Sequence, residues 1–333
     1  MAYEAGDTIL DNEYNSFVGV NGTVSYPSQI AADAAAPCVG IIYGVGYGNR
    51  GYGQTGIALS AVTTATPITS AQWTTMRNAL AVCSESQSGV VGGSTLIPPI
   101  TVMEAGDIIQ AHESSPPTSD AYDFNSVIQS INTNRFTTDA TKSSVVVTSG
   151  VSSNVRGSAW GSASGSINCI FDYAFGSEDA ARYFSNSGGE LRIDLSHPAG
   201  SPQDNDWSAS LGTRLGQVRI GTGNTSSTGT SGLSSTVGFY DLTDAYQTVI
   251  DGTNIGTGAY TTNDVLIEAH RLNFVGTNGG NGDGIRVRIT LTDQHTNAFS
   301  DLVSAGTTAN FSVLKATFLV GIVTPTGSVP SPF

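Results

Sequence analysis

The sequence predicts a mainly β protein with a small α-containing N-terminal region and a C-terminal antiparallel β-sandwich of jelly-roll-like form. Three observations predict it. Between residues 167 and 323 apolar residues recur at every second position, the period of a half-buried strand. Clusters of Gly, Asn, Asp and Ser separate those runs, as turns would. Before residue 140 the apolar spacing is instead helical, in three short stretches. The chain divides on this reading into an N-terminal helical-repeat attachment region (1–140), a Ser/Gly-rich connector (141–166), the sandwich (167–323) and an extended tail (324–333).

The N-terminal region carries a repeated pattern. Its first copy runs from Ala5 to Phe17 and its second from Thr66 to Met76. Aligned, they match Ile9 with Ile68, Glu13 with Gln72, Tyr14 with Trp73 and Phe17 with Met76. A third copy opens at Ala105-Gly-Asp-Ile-Ile109, is interrupted by His112 to Asp120, and resumes at Asp123. Each copy is expected to turn at its start and then enter a helix, near 11–18, 70–83 and 120–134. Thr69 and Gln72 have the spacing of a capping box, in which each side chain satisfies the other's free backbone N–H. Trp73, Met76, Leu80 and Cys83 fall on one stripe, as do Phe124, Val127, Ile128 and Ile131. Such short amphipathic helices must bury those stripes on one another or on a partner subunit. Between the first two copies, glycine at nearly every second position from Tyr43 to Gln54 predicts an irregular loop with its tyrosines stacked or turned outward.

In the connector, Ser143 to Thr148 reads as one strand, and the rest as a linking segment or an edge meander. The sandwich strands follow at 167–175, 189–195, 265–274 and 285–292, with one or two more in 311–323. The run at 285–292 alternates cleanly, Ile285, Val287, Ile289 and Leu291 inward against Arg286, Arg288, Thr290 and Thr292. Short helices are expected at 178–184 and 208–215, and a turn at 238–244. Three prolines bar the tail from a sheet interior, so it reads as an extended end laid on a neighbour.

Composition excludes several functions. The 333 residues carry a net charge of −14 with 13 basic side chains, which leaves no electrostatic footprint for nucleic acid. No apolar run approaches the length of a membrane span. The opening Met-Ala-Tyr-Glu-Ala-Gly-Asp has no basic or apolar region of a signal peptide, so none is expected. Cys38, Cys83 and Cys169 are widely spaced and odd in number, and read as buried free thiols.

Motifs that carry chemistry are weak. Gly46 to Gly51 fits G-x-G-x-x-G, with Cys38 to Tyr43 as the strand before it, but no helix can open at Tyr52-Gly-Gln-Thr-Gly56. Gly279 to Asp283 resembles half of a calcium-binding glycine repeat and reads more simply as a hairpin loop. Gly161 to Gly165 has Ala163 where a nucleophile would stand. The four histidines lack metal-ligand spacing, and His270 reads as a satisfied strand residue. Glu178/Asp179, Asp204/Asp206, Glu190/Asp194 and Asp241/Asp244 are acidic neighbours of the kind that could hydrolyse glycosides, and that solvated turns also produce. Tyr43, Tyr47, Tyr52, Trp160 and Trp207 on uncharged segments could meet a carbohydrate or a protein, while packing within their own loops is the favoured reading for each. No catalytic, cofactor or metal residue is assigned, and no cofactor is expected.

Several segments resemble virion structural proteins of tailed bacteriophages, most closely those of T4-like marine cyanophages. They are Ala5-Gly-Asp-x-Ile with Glu13-Tyr-Asn15, Tyr52-Gly-Gln54, Thr69-Ser-Ala-Gln-Trp73, and Ala181 to Ile193 followed by Trp207. The resemblance implies a structural, non-enzymatic protein of the virion, assembled in the host cytoplasm. Its expected place is a fibre-like appendage at the tail, neck or baseplate, built as a homo-oligomer, a homotrimer for preference. Its expected partners are other virion proteins and a host surface glycan, with no nucleic acid and no membrane. The alternatives are a capsid decoration protein and a host-glycan-binding tail-tip module.

Overall fold

A computed structural model describes residues 14–15, 18–19, 38–44, 51–63, 66–90, 124–161, 165–273, 282–295 and 302–333. The protein is mainly β, with a few helices. It forms two compact units. The first takes the chain up to Ser144 together with Arg182–Gly188 and Ala316–Ile322, and the second takes Val145–Ala181, Gly189–Lys315 and Val323–Phe333.

The helices are α1 (Val39–Tyr43), α2 (Ser70–Ser88), α3 (Phe124–Thr133), α4 (Glu178–Asn186) and α5 (Pro202–Ala209). In the first unit α1, α2 and α3 pack on one another. The expected stripe of α2 is buried throughout, and Val127, Ile128 and Ile131 of α3 are buried with it. Tyr14 meets Trp73 edge to face, with ring centroids 5.4 Å apart. The capping box is formed: the Thr69 hydroxyl accepts from the Gln72 amide, and Gln72 Oε1 accepts from the Thr69 amide at 2.8 Å. Thr69→Ala should therefore cost about 1 kcal/mol in a denaturant titration. A loss near zero would mean that water replaces the cap.

Helix α2 runs five residues past its expected end, because polar side chains in its last turn find buried partners. Glu85 pairs with Lys142 at 2.9 Å, and Gln87 donates to Tyr52 Oη and to the Ile131 carbonyl, at 2.6 and 2.8 Å. Gly89, at φ +74°, then ends it; a Cβ there would lie 2.5 Å from the Asp139 carboxyl carbon.

One expectation for this unit is corrected: Val39–Tyr43 is helical, so the strand that a dinucleotide fingerprint requires is missing. Tyr43 and Tyr52 face inward, as loop packing requires and outward presentation does not. Tyr43 Oη accepts from the Ile57 amide at 2.9 Å, and Tyr52 Oη donates to the Arg135 carbonyl at 3.0 Å. A phenol that buries its ring and satisfies its hydroxyl gains more inside than on a loop surface. The first and third repeat openings, the 112–120 insertion and Tyr47 lie outside the described residues.

The strands, in chain order, are β1 (Ser143–Val147), β2 (Ser149–Gly150), β3 (Ser153–Val155), β4 (Trp160–Gly161), β5 (Gly165–Ala174), β6 (Glu190–Ser196), β7 (Val218–Ile220), β8 (Thr225–Ser227), β9 (Ser234–Ser235), β10 (Gln247–Gly252), β11 (Asp264–Leu272), β12 (Gly284–Asp293), β13 (Leu302–Val303), β14 (Thr308–Ala316) and β15 (Thr326–Ser331). One large sheet has the order β1-β14-β6-β7-β8-β9, with β3 also on β14; the other large sheet has the order β10-β11-β12-β5-β15-β2, and β13 and β4 form a separate antiparallel pair. Both orders end in edge strands, so neither sheet closes. Phe171 of β5 stacks on Phe311 of β14 with centroids 3.6 Å apart, which joins the inner faces of the two sheets. Ile285, Val287, Ile289 and Leu291 are buried as their alternation requires. On the opposite face of β12, Arg286 pairs with Asp172 at 2.7 Å and Arg288 with Glu268 at 2.6 Å. These are the cross-strand neighbours that the antiparallel register creates.

Two open readings of the β region are narrowed and one is overturned. Residues 143–161 supply β1 to β4, as an edge meander would, since ladder hydrogen bonds are made by backbone and tolerate small side chains. Of the one or two strands expected in 311–323 there is one, because β14 ends at Ala316. The tail is a strand within the sheet: β15 runs antiparallel to β5 and parallel to β2. Pro330 is accommodated because it falls where the register of β15 slips, between Ser328 and Ser331, and no ladder donor is needed there.

Candidate functional site

The densest buried polar cluster of the second unit is built where β6 ends. Strand β6 delivers His197 just past Ser196, and Ser201 then caps α5. The cap is a box whose acid is Asp204: Ser201 Oγ accepts from the Asp204 amide at 3.1 Å, and Asp204 Oδ2 accepts from the Ser201 amide at 3.0 Å. Capping leaves Asp204 free to take further donors. His197 Nε2 lies 3.0 Å from its Oδ1. The Ser304 amide and hydroxyl each donate to it at 2.8 Å.

The chain of contacts continues on the other side of the imidazole. His197 Nδ1 is 2.9 Å from Thr307 Oγ1, which accepts from Trp160 Nε1 at 3.0 Å. Placing the ring proton on Nε2 satisfies every member: indole donates to threonine, threonine to imidazole, imidazole to carboxylate. Trp160 packs in turn on Trp207, with ring centroids 5.0 Å apart. With its amide oriented to fit its neighbours, Asn263 accepts from Trp207 Nε1 at 3.3 Å and donates to Asp293 Oδ1 at 3.1 Å. Asp293 Oδ2 also accepts from Gln203 Nε2 at 2.5 Å.

Burial alone would raise the Asp204 carboxyl. The donors from the Ser304 amide, His197, the Ser201 amide and the Ser304 hydroxyl outweigh it and hold the group well below the usual carboxylate range.

Asp206, two residues on, belongs to a separate arrangement. It pairs with Arg214 at 2.6 Å and accepts from the Thr257 amide and hydroxyl at 3.1 and 2.9 Å. Arg214 reaches back because residues Ser210–Leu215 form a π-helical turn after α5.

Thr307, His197 and Asp204 have the connectivity of a nucleophile, a base and an orienting acid. Their setting differs from that of a working triad. All three are buried, and the threonine oxygen is already engaged by an indole N–H. A reacting carbonyl needs open space beside the nucleophile and donors for its oxygen. What this arrangement does chemically is to lock the β6–α5 corner onto the segment between β13 and β14.

No protein-family model matches the chain, and neither a curated protein nor a solved structure matches it.

The other residues singled out in the sequence are dispersed. Trp160 and Trp207 are buried, as the packing reading of them requires, and are not presented to a ligand. Their indole N–H groups find partners inside, so burial costs them no hydrogen bond. Glu190 pairs with Arg192 at 2.9 Å, and Asp194 accepts from Gln217 at 3.1 Å. Asp241 accepts from the Gly238 amide at 3.0 Å, while Glu178 and Asp179 sit in the first turn of α4. His270 Nδ1 is bonded to the Arg271 carbonyl at 2.8 Å, and its ring meets Tyr246 edge on. Asp283 accepts from Asn273 Nδ2 at 2.9 Å; the glycines before Gly282 lie outside the described residues. Cys38, Cys83 and Cys169 are buried free thiols. Among the described residues no three His, Cys, Asp or Glu side chains converge on a metal position, and no helix is long and apolar enough to cross a membrane.

Proposed function

We propose that the protein is a structural component of a tailed-bacteriophage virion, a fibre-like appendage of the tail, neck or baseplate that works as a symmetric homo-oligomer, a trimer for preference. In this reading it is not an enzyme, and its two-sheet body follows a jelly-roll-like course. The observation that carries the reading is the cluster around His197 and Asp204. The most triad-like chemistry in the described chain is buried and spent on holding a corner of the fold. The resemblance of Ala5–Asn15, Thr69–Trp73 and Ala181–Ile193 to phage virion proteins supplies the setting. Four of the five aromatics that suggested the glycan-tip alternative, Tyr43, Tyr52, Trp160 and Trp207, face inward.

Cryo-electron microscopy of purified particles carrying the protein tests the proposal. Density in an appendage of few-fold symmetry is the expected result. Density over the whole head lattice would select the decoration alternative, and particles that lack the protein would overturn both.

A further inference from the structure

One edge of the seven-stranded sheet differs from the rest of the surface. Between Val145 and Val155 the chain forms most of β1, crosses to pair β2 with β15 of the six-stranded sheet, and returns as β3; both β1 and β3 lie on the outer side of β14. Four valines stand out there: Val145 is 55% exposed, Val147 62%, Val151 44% and Val155 56%. Half of the large apolar side chains exposed among the described residues therefore fall within eleven positions. The same eleven positions contain no charged residue and no proline. Solvated edges usually carry a lysine, a proline or an inward charge that blocks strand addition, and this one carries none.

We propose that this valine edge is the surface through which copies of the chain associate. The occupant follows from charge. The chain has 27 acidic and 13 basic residues, so two copies repel over most of their surfaces. The neutral edge is where they approach at least electrostatic cost. A basic partner would be drawn to the acidic surface instead, whereas a second copy brings a matching neutral strand with unpaired backbone groups of its own. Pairing of edges then supplies hydrogen bonds to both chains and removes the valines from water. The inference rests on the self-association part of the proposed function, and it names the surface responsible.

Light scattering of the full chain across a dilution series tests it. The unaltered protein should run as an oligomer. The double variant Val145→Lys/Val147→Lys should associate about a hundredfold more weakly and run at the 34.3 kDa of one chain. Val320→Lys, at an apolar site 79% exposed elsewhere, should remain an oligomer. An unaltered protein that is monomeric at every concentration would overturn the self-association reading and the inference together. An oligomeric double variant, or equal dissociation of Val320→Lys, would overturn the inference alone. Should the double variant fail to fold, hydrogen exchange on the unaltered chain decides. Amides of 145–147 should exchange at least tenfold faster after dilution to monomer, and a rate independent of concentration would refute the edge contact.

Discussion

Asp204→Ala is expected to destabilise the second unit by about 3–5 kcal/mol, the usual cost of removing one member of a buried, hydrogen-bonded charged group. The size follows from what is left behind. The Ser304 amide and hydroxyl, the Ser201 amide and His197 Nε2 would all lose their acceptor in a site closed to water. The pH dependence has a definite sign. Because the folded state holds this carboxyl below its unfolded value, the stabilisation is fully present above the unfolded pKa of about 4. It is lost as pH falls from there through the lower folded-state pKa. Urea titrations between pH 7 and pH 2 should show this loss in the unaltered protein. Asp204→Asn, which cannot ionise, should lack that component of the slope. Identical profiles for the two would mean that Asp204 is not the anion that the cluster is built around.

Phe311→Ala should be comparably damaging, at about 3–5 kcal/mol, because it opens a cavity where the two sheets meet. Its ring stacks on Phe171 and meets Tyr173 edge on at 6.2 Å, so one truncation strips the aromatic contacts that β14 makes with β5 of the facing sheet. The thermal midpoint should fall by about 10 °C. Phe311→Leu, which refills most of the volume, should recover more than half of the loss. A midpoint for Phe311→Ala within 2–3 °C of the unaltered protein, about 1 kcal/mol, would show that the sheets are held together elsewhere.

Local features of the fold were legible in the sequence and long-range ones were not. The alternation in β12 and the capping box at Thr69 depend on neighbours a few residues apart, and both appear as the sequence predicts. The His197 cluster joins residues up to 147 positions apart, and no spacing rule connects them. Its one local trace was the Ser201-to-Asp204 spacing of a capping box just after a strand. Asp204 was visible only as half of an acidic pair, whose other half serves Arg214. The tryptophans were legible as packing residues but not their partners, because Thr307 and Asn263, which satisfy the two indoles, lie far along the chain. Pro330 misled because a register slip in β15 is invisible without the facing strand.

The position of β14 bears on how the protein reaches its folded state. It lies between β6 on one side and β1 with β3 on the other, yet it begins at Thr308, some 160 residues after β1. Contacts of such sequence separation are closed at high entropic cost before they return any stability, which places folding in the slow range of about milliseconds to seconds or beyond. Until Thr308–Ala316 docks, β6 and the β1–β3 segment each present an unsatisfied flank to any other unfinished chain. Refolding yield should consequently fall as protein concentration rises, and the β14 insertion step should be the one that sets the race between folding and clumping.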